Sequence, residues 1–208
     1  MKPKNNYSKP LCSDTCTRRS FITKGACSSI GITLFSGSFI SAFSSTLKIK
    51  KTKEEIHQQL DKLVDEYMPV LGTCSQTSFY ALNETFNLKA DKFVKSLAAM
   101  PGIAMRGETC GAVSGSLLAI ALVYEESMID KDKKRPSLKP SISFCSGFEE
   151  EFGSTRCEDV ISHVNQKKFD VSKPEDYQML GQEGAFKHCS DVVKKSVHIA
   201  ADIILAKA

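Results

Sequence analysis

Tryptophan is absent from the 208 residues, and no stretch alternates apolar and polar side chains with the period of two that a half-buried strand needs. There is no CxxC, no CxxCH for covalent haem and no pair of close zinc-type doublets. A P-loop, a dinucleotide glycine fingerprint and a Ser-His-Asp motif are missing too, so nothing points to a hydrolase. An excess of either charge is small. The formal net charge is +4, and Lys2, Lys4, Lys9, Arg18, Arg19 and Lys24 face only Asp14 in the first 44 residues, which leaves the rest close to neutral. A near-neutral body lacks the electrostatic footprint of a nucleic-acid binder. The basic run Lys48, Lys50, Lys51 and Lys53 reads as the solvated start of a linker. A spanning helix wants about 20 strongly apolar residues, and no stretch supplies them, so no stable membrane span is expected.

What is there begins with an address. Residues 1–16 are polar, Thr17-Arg18-Arg19-Ser20-Phe21-Ile22-Thr23-Lys24 follows, and Gly25 to Phe43 carries no charge. This resembles a twin-arginine signal: an Arg pair, an apolar pair, a Lys, then a moderate h-region diluted by Ser and Gly. Ala42-Phe43-Ser44 offers small residues for a signal peptidase, so cleavage is expected near Ser44. The resemblance implies recognition by the twin-arginine export machinery and a periplasmic or otherwise extracytoplasmic mature protein. That route carries proteins already folded, often with a cofactor installed. Cys12 and Cys16 precede the Arg pair and would leave with the signal, and Lys24-Gly25-Ala26 is a poor lipobox for Cys27.

The organisation expected is a signal at 1–44, an amphipathic helix and linker at 45–69, and a helical domain at 70–208. From Lys53 to Leu71, Ile56, Leu60, Leu63, Val64 and Tyr67 recur at helical spacing until Gly72 breaks the pattern. Cys74 to Phe86 follows, with Thr73 and Gln76 in capping-box positions. Ala90 to Ala99 reads as a third helix, stopped by Pro101-Gly102. Thr109 to Tyr124 is apolar nearly all round, as a buried central helix would be, and its small Gly111, Ala112, Ser114, Gly115 and Ala119 invite close backbone approach. Asp130 to Pro140 reads as a charged loop, Ser141 to Phe152 as a helix, Thr155 with Glu158 as a second capping box opening a short helix to His163, and Asn165 to Gly181 as mostly loop. Phe186 to Lys207 closes the chain as an amphipathic helix. The fold class is therefore all-α, a compact helical bundle around a buried central helix.

Five cysteines follow the signal. Cys74, Cys110, Cys157 and Cys189 each fall at or near a predicted helix start, where free N–H groups and the positive dipole end favour a thiolate. Cys145 lies inside a predicted helix and reads as core. Three readings of the four remain open on residues alone: two structural disulfides, a metal or iron–sulfur site, and a thiol–disulfide redox pair. His188, His57, His163 and His198 read as structural or surface residues, Met68, Met100 and Met105 as core filling, and Glu149-Glu150-Glu151 as a solvated face.

Cys110-Gly111-Ala112-Val113-Ser114-Gly115, with Cys74 upstream, Cys157 after Phe152-Gly153-Ser154-Thr155-Arg156, and Cys189 near the end, resembles the C-GCAxxG-C-C family, a group described as redox-active. The likeness runs over about residues 70–205. It implies that Cys74, Cys110, Cys157 and Cys189 converge on one centre, with Gly111 and Gly115 facing a neighbouring helix or a bound cofactor. The centre anticipated is an iron–sulfur cluster or another thiolate-bound metal, with haem less favoured, serving electron transfer to a redox partner protein. The alternatives are a non-catalytic module with structural disulfides and a thiol–disulfide oxidoreductase.

One expectation concerns the address alone. Changing Arg18→Lys together with Arg19→Lys should strand the protein in the cytoplasm, and subcellular fractionation showing normal export would remove the twin-arginine reading.

Overall fold

In the computed structural model, residues 51–125, 135–182 and 186–207 are described, and they form eight α-helices with two short 3-10 turns and no strand. The signal expected at 1–44, with Cys12, Cys16 and Cys27, lies outside the described residues, as do residues 130–134 of the loop expected from Asp130, whose last three residues open α5 instead.

The first helix, α1 (Lys53–Leu71), begins at a reciprocal cap. Thr52 Oγ1 accepts from the Glu55 N–H at 3.2 Å, and Glu55 Oε2 accepts from the Thr52 N–H at 2.8 Å. It ends at Gly72, whose φ of 68° carries no Cβ penalty. Then come α2 (Cys74–Phe86), the four-residue α3 (Gly102–Met105), α4 (Gly111–Tyr124), α5 (Leu138–Phe152), α6 (Cys157–Asn165), α7 (Pro174–Gln182) and α8 (Phe186–Leu205). As its uninterrupted apolarity demands, α4 is the hub, packed against α2, α5 and α8. Phe79, Leu82, Val113, Ile120, Phe144, Phe148, Val197 and Ile204 fill the centre, each at most 1% exposed. Burying each such side chain is worth about 1.5–3 kcal/mol. Helix α1 belongs to the same core through Ile56, Leu60 and Val64. Among the described residues no helix is long and apolar enough to cross a membrane.

Polar contacts stitch the helices at chosen points. Ser196 Oγ on α8 donates to the Ala112 carbonyl at 3.1 Å and meets Ser116 Oγ at 3.0 Å, both wholly inside. Helices α1 and α8 run antiparallel beside each other, with the His57 and His198 rings stacked 4.0 Å apart at 7°. His57 reaches Asp202 at 3.0 Å and His198 reaches Asp61 at 2.8 Å, so each helix supplies one histidine and one carboxylate. These histidines are structural, as their sequence setting suggested, but their mutual stack has no local sequence signal.

Three segments depart from expectation. Residues 90–99 form two separate 3-10 turns, Asp91–Phe93 and Lys95–Leu97. The cause is the buried Asn83 side chain, which accepts from the Ala90 N–H at 2.9 Å and donates to Asp91 Oδ1 at 2.6 Å, fixing the entry to the segment. The stretch expected as loop contains α7, opened by Pro174 with Glu175 and Asp176 behind it. Proline needs no N–H in the first turn and carboxylates favour the dipole there. The third departure is α3. Its amides bond like a helix, yet φ is positive at Gly102 (52°), Ile103 (47°), Ala104 (57°) and Met105 (59°). Left-handed winding costs an L-residue about 1–2 kcal/mol, and a β-branched Ile is the least suited of all.

The approach of α2 to α4 is closer than any side chain but hydrogen allows. A Cβ at Gly115 would overlap Ser78 Oγ and the Ser75 carbonyl, and would lie 3.1 Å from the Phe79 nitrogen. Backbone cannot yield there, so Gly115→Leu should overpack the interface and lower stability by roughly 1–3 kcal/mol. Denaturant unfolding is the check; an unchanged midpoint would mean that this face is open.

Candidate functional site

Cys74, Cys110 and Cys157 each stand at the start of a helix: Cys74 opens α2, Cys110 is the residue before α4, and Cys157 opens α6. Cys189 lies within the first turns of α8.

At α2 the expected capping box does not close. Thr73 sits in the N-cap position, but its hydroxyl donates to Gln76 Oε1 at 2.8 Å instead of accepting from the helix. Gln76 Nε2 in turn donates to the Val94 carbonyl at 3.1 Å. The first amides of the helix are thereby left for the Cys74 sulfur, which accepts from the N–H groups of Cys74 and Ser75. A third amide comes from Gly111 across the interface. That approach is possible only because residue 111 is glycine, since a Cβ there would overlap the sulfur. Gly111 therefore borders the candidate centre, while Gly115, one turn on, meets Ser75, Ser78 and Phe79 of α2.

At α6 the second capping box is likewise replaced. The helix starts one residue later than expected, with Arg156 as N-cap and no side-chain cap. Ser154 Oγ instead accepts from the Arg156 N–H at 3.0 Å and donates to Asp159 Oδ2 at 2.8 Å. The reason is main-chain pairing: Thr109 and Arg156 form an isolated antiparallel bridge. The Cys110 N–H donates to the Thr155 carbonyl at 2.8 Å and the Cys157 N–H to the Glu108 carbonyl at 2.6 Å. Two helix starts are thus locked side by side, each bringing its cysteine. Over them lies the turn at Pro101-Gly102. Pro101 Cα stands 3.2 Å from where a Gly111 Cβ would be, and a Gly102 Cβ would be 3.4 Å from the Cys157 sulfur.

The four thiols share one electrostatic field but not one character. The Cys110 thiol donates to the Cys74 sulfur. This bond, helped by the three amides and opposed by burial, holds Cys74 below the ordinary thiol value. The same bond, with burial and the charges of Cys74 and Cys157, pushes Cys110 well above it. Burial, then the charges of Cys74 and Glu158, push Cys157 up to about 12. Burial, then the charges of Cys74 and Cys157, raise Cys189 as well. Cys145 answers only to burial and Glu149, and stands apart from the group. Cys110 and Cys157 are buried while Cys74 and Cys189 keep partial exposure, and all are free thiols. The donor chemistry suits a soft metal. Among the described residues, however, no three His, Cys, Asp or Glu side chains stand close enough together to hold one.

Sequence reasoning did not find the third amide from Gly111, the Thr109–Arg156 bridge or the cover at Pro101-Gly102. Only the Pro-Gly pair carried a signal, and that signal was for a turn.

The fold and the cysteine set define a class, an all-α protein with four thiols gathered at helix starts. Residues 72–203 match the model of the family described as "Putative redox-active protein (C_GCAxxG_C_C)", and the chain belongs to that family. An "Uncharacterized protein" of Archaeoglobus fulgidus is 32% identical over 101 residues, which cover 44% of this chain and 67% of the relative. No solved structure matches the chain.

The charge pattern sets an order of reactivity. Above neutral pH, Cys74 should be the first thiol to alkylate, with a rate midpoint below that of an ordinary cysteine. A lowered value means that its thiolate survives to lower pH than an ordinary one. Cys157, held as thiol up to about 12, should stay unmodified through pH 10 in the folded protein. Mass mapping of iodoacetamide adducts against pH is the measurement; labelling of Cys157 before Cys74 would contradict the assignment.

Proposed function

We propose that the chain is an exported thiol redox protein in which Cys74 and Cys110 cycle between dithiol and disulfide, passing electrons to or from a redox partner protein. The observation that carries this reading is the hydrogen bond from the Cys110 thiol to a Cys74 sulfur already favoured as thiolate. A partly exposed thiolate with a buried thiol in contact is the arrangement in which one sulfur attacks and the other resolves.

The chemistry follows from the proton positions. The Cys74 thiolate attacks a sulfur of a disulfide on the partner, forming a mixed disulfide and releasing one partner thiolate. The Cys110 thiol gives up its proton and attacks the Cys74 sulfur. The Cys74–Cys110 bond forms, the mixed disulfide breaks, and the second partner sulfur leaves as a thiol carrying that proton. Two electrons have moved to the partner, and run in reverse the sequence oxidises it. The N–H groups of Cys74, Ser75 and Gly111 hold the attacking sulfur in its anionic form, and burial of Cys110 keeps the resolving proton in place until the first bond exists.

A second reading is favoured by a separate observation: Cys157 and Cys189 both lie near enough to Cys74 for its charge to raise their pKa. It is an iron–sulfur or other thiolate-bound metal centre on Cys74, Cys110, Cys157 and Cys189, which would supply one-electron chemistry. Those four thiols would hold the metal, and no step is assigned to it.

One experiment separates the readings. Protein purified anaerobically should carry no stoichiometric iron or zinc and no visible charge-transfer band. Oxidised glutathione should remove two titratable thiols and yield a peptide joining Cys74 to Cys110, and Cys74→Ser should abolish that product. Stoichiometric metal, or persistence of both thiols under oxidant, would overturn the dithiol reading.

A further inference from the structure

The left-handed turn is the most strained segment among the described residues, and it lies against the cysteines. Four consecutive positive φ values include Ile103 and Ala104, neither of which gains anything locally from that conformation. The turn is closed by amides of Ile103 to Met100 (3.0 Å), Ala104 to Ala99 (2.9 Å), Met105 to Pro101 (2.9 Å) and Arg106 to Gly102 (2.9 Å), each donating to a carbonyl. Its outward face is apolar and open, with Ile103 41% and Met100 36% exposed. From Ser96 to Met105 the chain carries no charge.

What holds this conformation is its seat. A Gly102 Cβ would stand 3.4 Å from both the Cβ and the sulfur of Cys157, and 3.3 Å from the Gly107 nitrogen. The Gly102 carbonyl accepts from the Glu108 N–H at 3.1 Å, and the Glu108 carbonyl accepts from the Cys157 N–H at 2.6 Å. Main-chain hydrogen bonds tie turn, strap and Cys157 together, and with no side chain at Gly102 the Cys157 sulfur lies directly beneath the turn.

We propose that the turn Gly102–Met105 is a redox-responsive cover, held left-handed while Cys157 is a free thiol and released when that sulfur enters a disulfide. This inference rests on the dithiol reading of Cys74 and Cys110. Once those two are joined, the Cys157 sulfur gives up its proton and attacks the Cys74 sulfur. A Cys74–Cys157 bond forms, the Cys74–Cys110 bond breaks, and Cys110 leaves as a thiolate that takes up the proton. The exchange is isoelectronic and needs no second oxidant. Drawing Cys157 toward Cys74 vacates the seat under Gly102, the strained residues relax, and Met100 and Ile103 change their presentation. A second oxidation state thereby acquires its own surface, on which a partner could distinguish the two.

The test is hydrogen exchange on the full chain, reduced and after treatment with oxidised glutathione, with the disulfides mapped in the same samples. Oxidation should accelerate exchange at the amides of residues 103–106 by about tenfold or more, equivalent to ~1.4 kcal/mol. Ile103→Gly accepts positive φ freely, so the variant should form the same disulfides and keep these amides slow. Cys157→Ser should also keep them slow under oxidant. A map holding only Cys74–Cys110, a mapped Cys74–Cys157 disulfide with unchanged exchange, or equal acceleration in either variant, overturns the cover and leaves the dithiol intact. Absence of any disulfide overturns both together, and the peptide map tells the two failures apart.

Discussion

The contact on which the rest depends is that between α2 and α4, where hydrogen replaces a side chain at Gly111 and Gly115. Because α4 can come that near, a main-chain amide from its first residue reaches the sulfur at the start of α2, and the Cys110 thiol reaches the same atom. Any side chain at residue 111 would separate the two helix starts and remove both interactions at once. The central helix is thus the hub of the core and also part of the sulfur's coordination by N–H groups.

From that contact follows an unequal division among the thiols. One negative charge is stabilised, at Cys74, and the same charge suppresses ionisation of Cys110, Cys157 and Cys189. The arrangement is self-limiting: a cluster of four equivalent thiolates would repel itself, whereas one thiolate among three protonated neighbours does not. Converting Cys74 to a disulfide removes its charge and eases the ionisation of the neighbours. The first oxidation therefore prepares the exchange that follows.

Much of this was legible before any coordinates. The period of apolar residues, ended by Gly72, placed α1 to the residue, and Thr73 in N-cap position placed the start of α2. Continuous apolarity identified α4 as central, and the cysteines at helix starts stood out because packing alone gives a thiol no reason to be there. The two capping boxes misled in the same way: Thr73 and Thr155 occupy familiar sequence positions, but the N–H groups they would serve are taken by a sulfur or by a facing strand segment. Residues 90–99 broke into 3-10 turns because a buried asparagine seven residues upstream outbids helix propensity. The left-handed turn had no signature beyond Pro-Gly, since its conformation is imposed by what it sits on.

The antiparallel stack of His57 on His198 carries a consequence for how the domain is attached to anything else. Lys53, at the head of α1, lies 2.9 Å from Asp202, near the tail of α8. The chain thus enters and leaves this domain at one pole. Helix α1 then travels 19 residues, roughly 28 Å at the usual rise, before Gly72 hands it to Cys74. Both ends of the helical domain therefore lie about a helix length from the Cys74 end of α2.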